Sequence, residues 1–352
     1  MIFKKVIYYL LPTGITTILR NRKRKNNINN SLLENTIELQ LKEFGALNPD
    51  KYFYVIRGFG AGMFSNLQYV LANIRQAEIH GMIPVVDFEN FYTVYKEPYA
   101  INNTNNAWNY FFKNVSKYTL EEVYKSKNVF INSGEYNWDM GYYFSDKNLY
   151  DYYTRYISFS DDIYTQYLKY KKELFSDKRI LGIQFRGWEM NSAAGHPFCP
   201  TIKQMFDNTD EILTKYNIDY IYLATEQEEY FDAYVKKYGD KIISTPYFRT
   251  KKHINGYKIT PEPRRNHLYL MGKDIIINAL LLADCNGLLH CGTNVSTFAK
   301  FHNHGNYEFE YSIFNGVNSS NSWIAKILFD VKKIFPLGSK FGLENKITVI
   351  EN

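Results

Sequence analysis

The chain has 352 residues, 45% of them hydrophobic and 22% charged, which is ample for two ordinary domains and too apolar for a disordered chain. Its net charge of +6 is local: residues 1–25 hold Lys4, Lys5, Arg20, Arg22, Lys23, Arg24 and Lys25 without an acid, leaving the remainder at −1, so the body lacks the basic face of a nucleic-acid binder. Three cysteines (Cys199, Cys285, Cys291) have neither an even count nor metal-ligand spacing, which excludes a disulfide framework and a zinc site and fits a reducing compartment.

In chain order, Val6 to Leu19 is apolar but interrupted by Pro12 and Gly14, far short of the roughly 20 residues of a membrane span. It also lacks the small-residue cleavage site of a signal peptide. With the basic run that follows, it reads as an interfacial anchor on an anionic membrane face or as a loose basic tail. The anchor reading is preferred and expects a cytoplasmic protein peripheral to the membrane. Residues 26–50 read as a linker. Tyr52 to Ile56 is a strand, Gly58 to Gly62 a tight loop, and Phe64 to His80 a helix with Leu67, Val70, Leu71, Ile74 and Ala77 on one face. Gly81 ends that helix and Met82 to Asp87 is the next strand, a β-loop-α-β unit that implies a parallel sheet. Residues 91–175 are aromatic and irregular, with Trp108, Tyr110, Phe111 and Phe112, and helices near 119–127 and 160–175.

A second α/β run begins at Ile180, with strands over 181–185, 220–224, 241–244 and 287–291. Helices are expected near 201–216, 227–238 and 273–284, with another opening at about Ser296. The expected architecture is α/β: two Rossmann-like, doubly wound domains facing a cleft. Residues 1–50 form the tail and linker, 51–176 the first domain, 177–335 the second, and 336–352 a loosely packed tail.

Several motifs carry chemistry. The Gly58-x-Gly60-x-Gly62 loop lets backbone N–H groups approach an anion at a helix N-terminus. With Asp87 ending the next strand it has the outline of a dinucleotide site, but Met63 stands where that fingerprint wants its third glycine, and a plain tight turn stays open. Asp87-Phe88-Glu89 resembles a metal-holding carboxylate pair, a pattern common by chance. No other Asp-x-Asp ends a strand, so no metal site is expected. The strand from Ile180 delivers Arg186, a fixed fork of donors matched to phosphate or carboxylate, with Glu189 one turn on. Alone, such an arginine also reads as a surface ion pair. Tyr222 to Glu226 ends in Thr225 and Glu226. Asp274 reads as opening a helix, where a carboxylate suits the dipole. Gly287 to Ser296 runs into Thr293, Asn294, Val295 and Ser296, an anion-binding pattern in which Ser296 is alternatively an N-cap. Three strands ending in Arg186, Glu226 and Thr293–Asn294 would bring these groups to one sheet edge, where open α/β sheets bind ligands.

Together the blocks resemble the inverting GDP-fucose fucosyltransferases, which include the α1,6 core and nodulation enzymes, the α1,2 enzymes and the protein O-fucosyltransferases. Gly60-Ala61-Gly62-Met63-Phe64 is similar to their N-terminal glycine loop. Ile183 to Glu189 with His196-Pro197 resembles their His-x-Arg-x-x-Asp signature, with Gln184 for the histidine and Glu189 for the aspartate. Tyr222 to Glu226 resembles their Tyr-Leu-Ala-Thr-Asp strand, and Asp274 to Ser296 their last donor-binding block. The resemblance implies a GT-B fold and GDP-fucose as donor substrate, without metal or other cofactor. It puts Arg186 on the β-phosphate, Glu189 in the role of general base, and Asp274 and Gln184 at the guanine. Gly60, Ala61, Gly62, His196, Thr225, Glu226 and Thr293 to Ser296 would complete the donor site. The acceptor would be a glycan or lipid-linked oligosaccharide, held by the N-terminal domain, in bacterial surface-polysaccharide assembly. Two other readings are an NAD(P)-dependent oxidoreductase using the Gly58–Gly62 loop and Asp87, and a non-catalytic glycan-binding module.

Overall fold

The computed structural model describes residues 41–352 except 59, 134–143, 145–147, 253 and 260, so the expected anchor over 1–25 lies outside the described residues. The chain divides into two compact units. The first runs to Lys169 and takes in Ile259–Ile277; the second holds Tyr170–Lys258 and Asn278–Asn352.

In the first unit, β1 (Leu47–Arg57) is followed by α1 (Met63–Ile79), β2 (Ile83–Asp87), α2 (Leu120–Val123), β3 (Ser126–Ile131), α3 (Asn148–Tyr156) and α4 (Asp161–Phe175), whose end belongs to the second unit. The sheet order is β2-β1-β3, all parallel. The periodicity read from the sequence holds: Leu67, Val70, Leu71, Ile74 and Ala77 of α1 are fully buried, each of the larger ones contributing roughly 1.5–3 kcal/mol. Gly81, at φ +63, turns the chain after α1, a conformation that costs glycine little. Trp108, Tyr110, Phe111 and Phe112 are buried, with Trp108 stacked on Phe112 at 4.4 Å. This part of the aromatic stretch is core.

The second unit contains β4 (Ile180–Gln184), α5 (Glu189–Ser192), α6 (Ile202–Lys215), β5 (Tyr220–Ala224), α7 (Glu228–Tyr238), β6 (Ile242–Ile243), the end of α8 (His267–Ala283), β7 (Gly287–His290), α9 (Asn294–Asn303), β8 (Phe309–Phe314), α10 (Ser322–Ile334) and β9 (Lys346–Glu351). Its sheet runs β6-β5-β4-β7-β8-β9, parallel except for β9, which pairs antiparallel with β8. The first five strands follow the Rossmann order, which reverses between β4 and β7, the topological switch point at which such sheets bind ligands. All five residues of β4 are buried. Gly182 admits no Cβ there, because one would lie 2.9 Å from Cys285 Sγ.

Three expectations are corrected. A single boundary was expected near 176, but residues 259–277 belong to the first unit because side chains distant in sequence hold them: Glu97 accepts from Tyr269 N–H at 2.9 Å and Asp162 pairs with Lys273 at 2.8 Å. The helix expected from 273 begins at His267, so Asp274 stands two turns inside it. The tail after 336, expected to be loose, buries Leu343 completely and pairs β9 with β8 from Phe314↔Lys346 to Phe309↔Glu351. The alternation in Lys346-Ile-Thr-Val-Ile-Glu351 is that of an edge strand.

Candidate active site

Beyond the last buried residue of β4 the chain turns sharply, and partners on neighbouring strands fix the turn. Gln184 is buried and its Oε1 accepts from Thr293 Oγ1 at 2.9 Å, which ties the end of β4 to the turn after β7. Arg186 donates from Nη1 to Glu226 Oε1 at 2.9 Å, and Gly187 N–H donates to the same oxygen at 2.8 Å. A Cβ at Gly187 would sit 3.0 Å from that oxygen, so a side chain there would crowd the carboxylate. Trp188 N–H donates to Gln227 Oε1 at 2.8 Å. Arg186 is thus an ion pair, as one sequence reading allowed, but a half-buried one whose orientation is set by β5. The carboxylate of Glu226 raises the guanidinium pKa further, and the group is permanently charged.

Glu189 opens the short α5. Burial raises its pKa, with Glu226 adding to the effect and Arg186 and Lys258 opposing it. No hydrogen bond to its carboxylate is present among the described residues. His196 is exposed, yet desolvation of the part that is covered, together with the charge of Arg186, lowers its imidazole pKa, so it is neutral at pH 7. Thr225 is buried and its Oγ1 accepts from Gln227 N–H at 3.3 Å, a turn-forming contact.

The turn after β7 is built as strictly. Gly292 has φ +70, and its N–H donates to His290 Nδ1 at 2.9 Å. That leaves the proton on Nε2, which donates to Glu310 Oε1 at 3.0 Å; Lys300 Nζ reaches the same oxygen at 2.6 Å. Burial holds His290 neutral. Thr293, not Ser296, caps α9: its Oγ1 accepts from Ser296 N–H, while Ser296 Oγ is buried and donates to Thr293 O at 3.0 Å. Asn294 is exposed and Val295 half-buried at the helix start, where amide donors suit an anion.

Two features escaped the sequence reading. The segment 245–258 carries Arg249, Lys251, Lys252 and Lys258 and no acid. It is pinned to the end of β5 by Thr250 N–H to Glu226 O at 2.8 Å, and it brings Tyr247 and Tyr257 close to Arg186 and Lys258 close to Glu189. Its run of cations was a usable signal. The second is a pair of buried thiols. Cys199 Sγ donates to Gly187 O at 3.7 Å, and the neighbouring Cys291 thiol pushes the Cys199 pKa up while its own is lowered by Cys199, with Arg186 helping to lower Cys291. No local pattern could pair residues so far apart.

The other named residues belong to the first unit. Gly60 has φ +71, and Cβ atoms at Gly58 and Gly60 would meet Tyr92 at 2.8 and 3.0 Å, whereas Gly62 faces open space. Met63 N–H, at the start of α1, is taken by Tyr95 Oη at 2.7 Å, and Ala61 O accepts from Asn66 at 2.7 Å. Asp87 is fully buried and accepts from Glu89 N–H, Asn90 N–H, Asn90 Nδ2 and Tyr124 Oη at 2.6–3.0 Å. Its oxygens are saturated, and neither a metal nor a ribose has a lone pair to use. Asp274 Oδ2 accepts from Arg264 Nη2 at 2.8 Å. Among the described residues no group of three or more His, Cys, Asp or Glu is disposed to hold a metal ion.

No protein-family model matches the sequence, and no curated protein matches it. Solved structures do. The NodZ α1,6-fucosyltransferase soaked with GDP-fucose is 13% identical, with a TM-score of 0.53 over 86% of this chain and 100% of its own. The same enzyme co-crystallised with GDP gives 12% and 0.51 over 86% and 99%, and fucosyltransferase NodZ from Bradyrhizobium 13% and 0.51 over the same shares. At such identity the likeness is one of fold, and the chain has the α/β fold on parallel sheets of these GT-B fucosyltransferases.

Proposed function

We propose that the chain is an inverting glycosyltransferase that moves fucose from GDP-fucose to a hydroxyl of a glycan or lipid-linked oligosaccharide. The observation that carries this reading is the ending of β4. At the switch point of a Rossmann-ordered sheet, Glu226 orients Arg186 beside Glu189, a carboxylate of raised pKa with open lone pairs. The fold is shared with an enzyme solved with GDP-fucose and with GDP.

In the reaction the acceptor oxygen attacks the anomeric carbon and its proton passes to the Glu189 carboxylate. The bond from that carbon to the β-phosphate oxygen breaks, and its electron pair leaves with GDP. Arg186 meets the negative charge that develops there. Because Glu226 already holds the guanidinium, little reorganisation is needed as the charge appears. Thr293 to Ser296, steadied by Gln184 and His290, would present the start of α9 to the diphosphate, and the cations of 245–258 add to the same field. His196 and Thr225 would shape the donor pocket. Placing the donor diphosphate in the second unit and the acceptor in the first follows the resemblance, as do the roles of Gly60 to Gly62 and of Asp274, which belongs to the first unit. No divalent metal is required in this scheme, since Arg186 does its electrostatic work. Saturation of Asp87 and occupation of the first α1 amide weigh against the oxidoreductase reading.

A thermal-shift panel of nucleotides and nucleotide sugars tests the donor, since a ligand binding only the folded state raises its melting temperature. GDP and GDP-fucose should stabilise the protein, NADH should not, and GDP-fucose should hydrolyse slowly without acceptor; no hydrolysis would leave the non-catalytic module. The guanine role of Asp274 predicts GDP above UDP, with Asp274→Asn losing most of that preference by calorimetry. Among the described residues no helix is long and apolar enough to cross a membrane, and membrane contact is proposed through residues 1–25, in bacterial surface-glycan assembly at the cytoplasmic face.

A further inference from the structure

The helix α10 has two apolar faces, and the fold uses one. Its inner face buries Ala325 and Phe329, with Phe329 packed on Phe198 and Leu343, and the helix lies against α5. On the outer face Trp323 is 79% exposed, Ile327 61% and Ile334 80%, with Val331 also exposed. Spacings of four, four and three residues place these side chains in one stripe. Phe335 and Phe341, also exposed, extend it beyond the helix. Seven of the twenty-one exposed large apolar side chains among the described residues fall within 323–341, so this is a patch and not scatter.

Charge selects what covers it. Residues 322–341 hold Lys326, Lys332, Lys333 and Lys340 against Asp330 alone. Lys326, Lys333 and Lys340 are exposed, and the first lies over the Trp323 ring at 5.2 Å. A second copy docked through the same face would bring cations against cations. Residues 1–25, with seven cations and no acid, are no better matched. A surface of anionic headgroups over acyl chains complements both the lysines and the stripe, with Trp323 at the boundary and the lysine stems reaching outward.

We propose that the outer face of α10 docks the protein on an anionic lipid surface, independently of residues 1–25 and of the transferase reading. The inner face of the same helix backs α5, and Asn318, just before α10, donates to Asn191 O at 2.9 Å. Docking therefore fixes the turn that carries Glu189 directly behind the lipid-facing helix. On the transferase reading, a membrane-borne acceptor then needs little travel to the base.

The test uses the full chain with phosphatidylcholine vesicles, with and without phosphatidylglycerol. Wild-type protein should sediment with the anionic vesicles, and its tryptophan emission should shift to the blue. The combined change Trp323→Ser, Ile327→Ser and Ile334→Ser should lower partitioning about tenfold or more, while Ile79→Ser with Tyr92→Ser, equally exposed elsewhere, should not. Trp323→Phe should remove the emission shift. Lys326→Glu, Lys333→Glu and Lys340→Glu together should abolish the preference for anionic lipid. A chain lacking residues 1–25 should keep part of its binding, and the stripe changes should remove that part. Unchanged partitioning of the stripe variant, or an emission shift that survives Trp323→Phe, would overturn the proposal. So would a stripe variant that converts a solution dimer to a monomer without altering vesicle binding, because the partner would then be a second copy.

Discussion

Asp87 closes β2 in the first unit, and Glu189 follows β4 by one short turn in the second, but their surroundings differ in kind. The two oxygens of Asp87 receive four hydrogen bonds from backbone amides, an asparagine and a tyrosine. Glu189 is half-buried, receives none among the described residues, and is destabilised as an anion by burial. Both are acids near a strand end in an α/β chain. What separates an anchor from a base is the number of lone pairs the fold has already committed, since a saturated carboxylate has none left for a proton or a ligand.

Removing each carboxylate should therefore fail differently. Glu189→Gln should lower kcat by about 10²–10⁴-fold, the usual contribution of a positioned general base, with GDP affinity and melting temperature kept. The base must be ionised to act, and burial favours its protonated form. The acid limb of the kcat profile should thus lie above the ordinary glutamate value of about 4.3. Initial rates against pH, for wild type and Glu189→Gln, check both statements. A Gln variant with wild-type turnover would erase the contrast with Asp87.

Arg186→Ala should cost about a hundredfold or more in kcat, and Arg186→Lys nearly as much, because a point charge does not replace a fork held by Glu226. Asp87→Ala should show the opposite pattern. It strands the donors that Asp87 now satisfies, so stability should fall by on the order of 3 kcal/mol in chemical denaturation, with GDP affinity unchanged. Excess chelator should leave the wild-type rate alone. Chelator inhibition reversed by manganese would instead make Asp87 and Glu89 functional.

The smallest expected effect concerns His290, the second unit's own buried anchor. Burial depresses its pKa in the fold, while the unfolded chain titrates near 6.5. As pH falls through that value the unfolded state takes up a proton that the folded state does not, so stability is full above it and declines below. The slope is about 1.4 kcal/mol per pH unit for one such group, and His302, also depressed, steepens it. Denaturation at pH 7.5 and 5.5 should show the loss, and His290→Asn should reduce it.

Much of the secondary structure was legible because periodicity is local. The buried face of α1, the apolar runs of β4, β5 and β7, and the glycine turn at Gly81 each declare themselves within a few residues. The candidate site was legible in part for the same reason: Arg186, Glu226 and Thr293 follow the ends of β4, β5 and β7 by two or three residues, and a parallel sheet brings strand ends together. Long-range contacts decided the rest. Whether Asp274 opens a helix depended on where α8 starts, and the segment that contains that start is held by Glu97 and Asp162. The tail became a strand because β8 offered an edge. Sequence alone determined which groups were available, a cationic fork and an acid one turn on. Only the tertiary structure decided which were already spent, because burial and the count of hydrogen-bond partners are set by residues tens to hundreds of positions away.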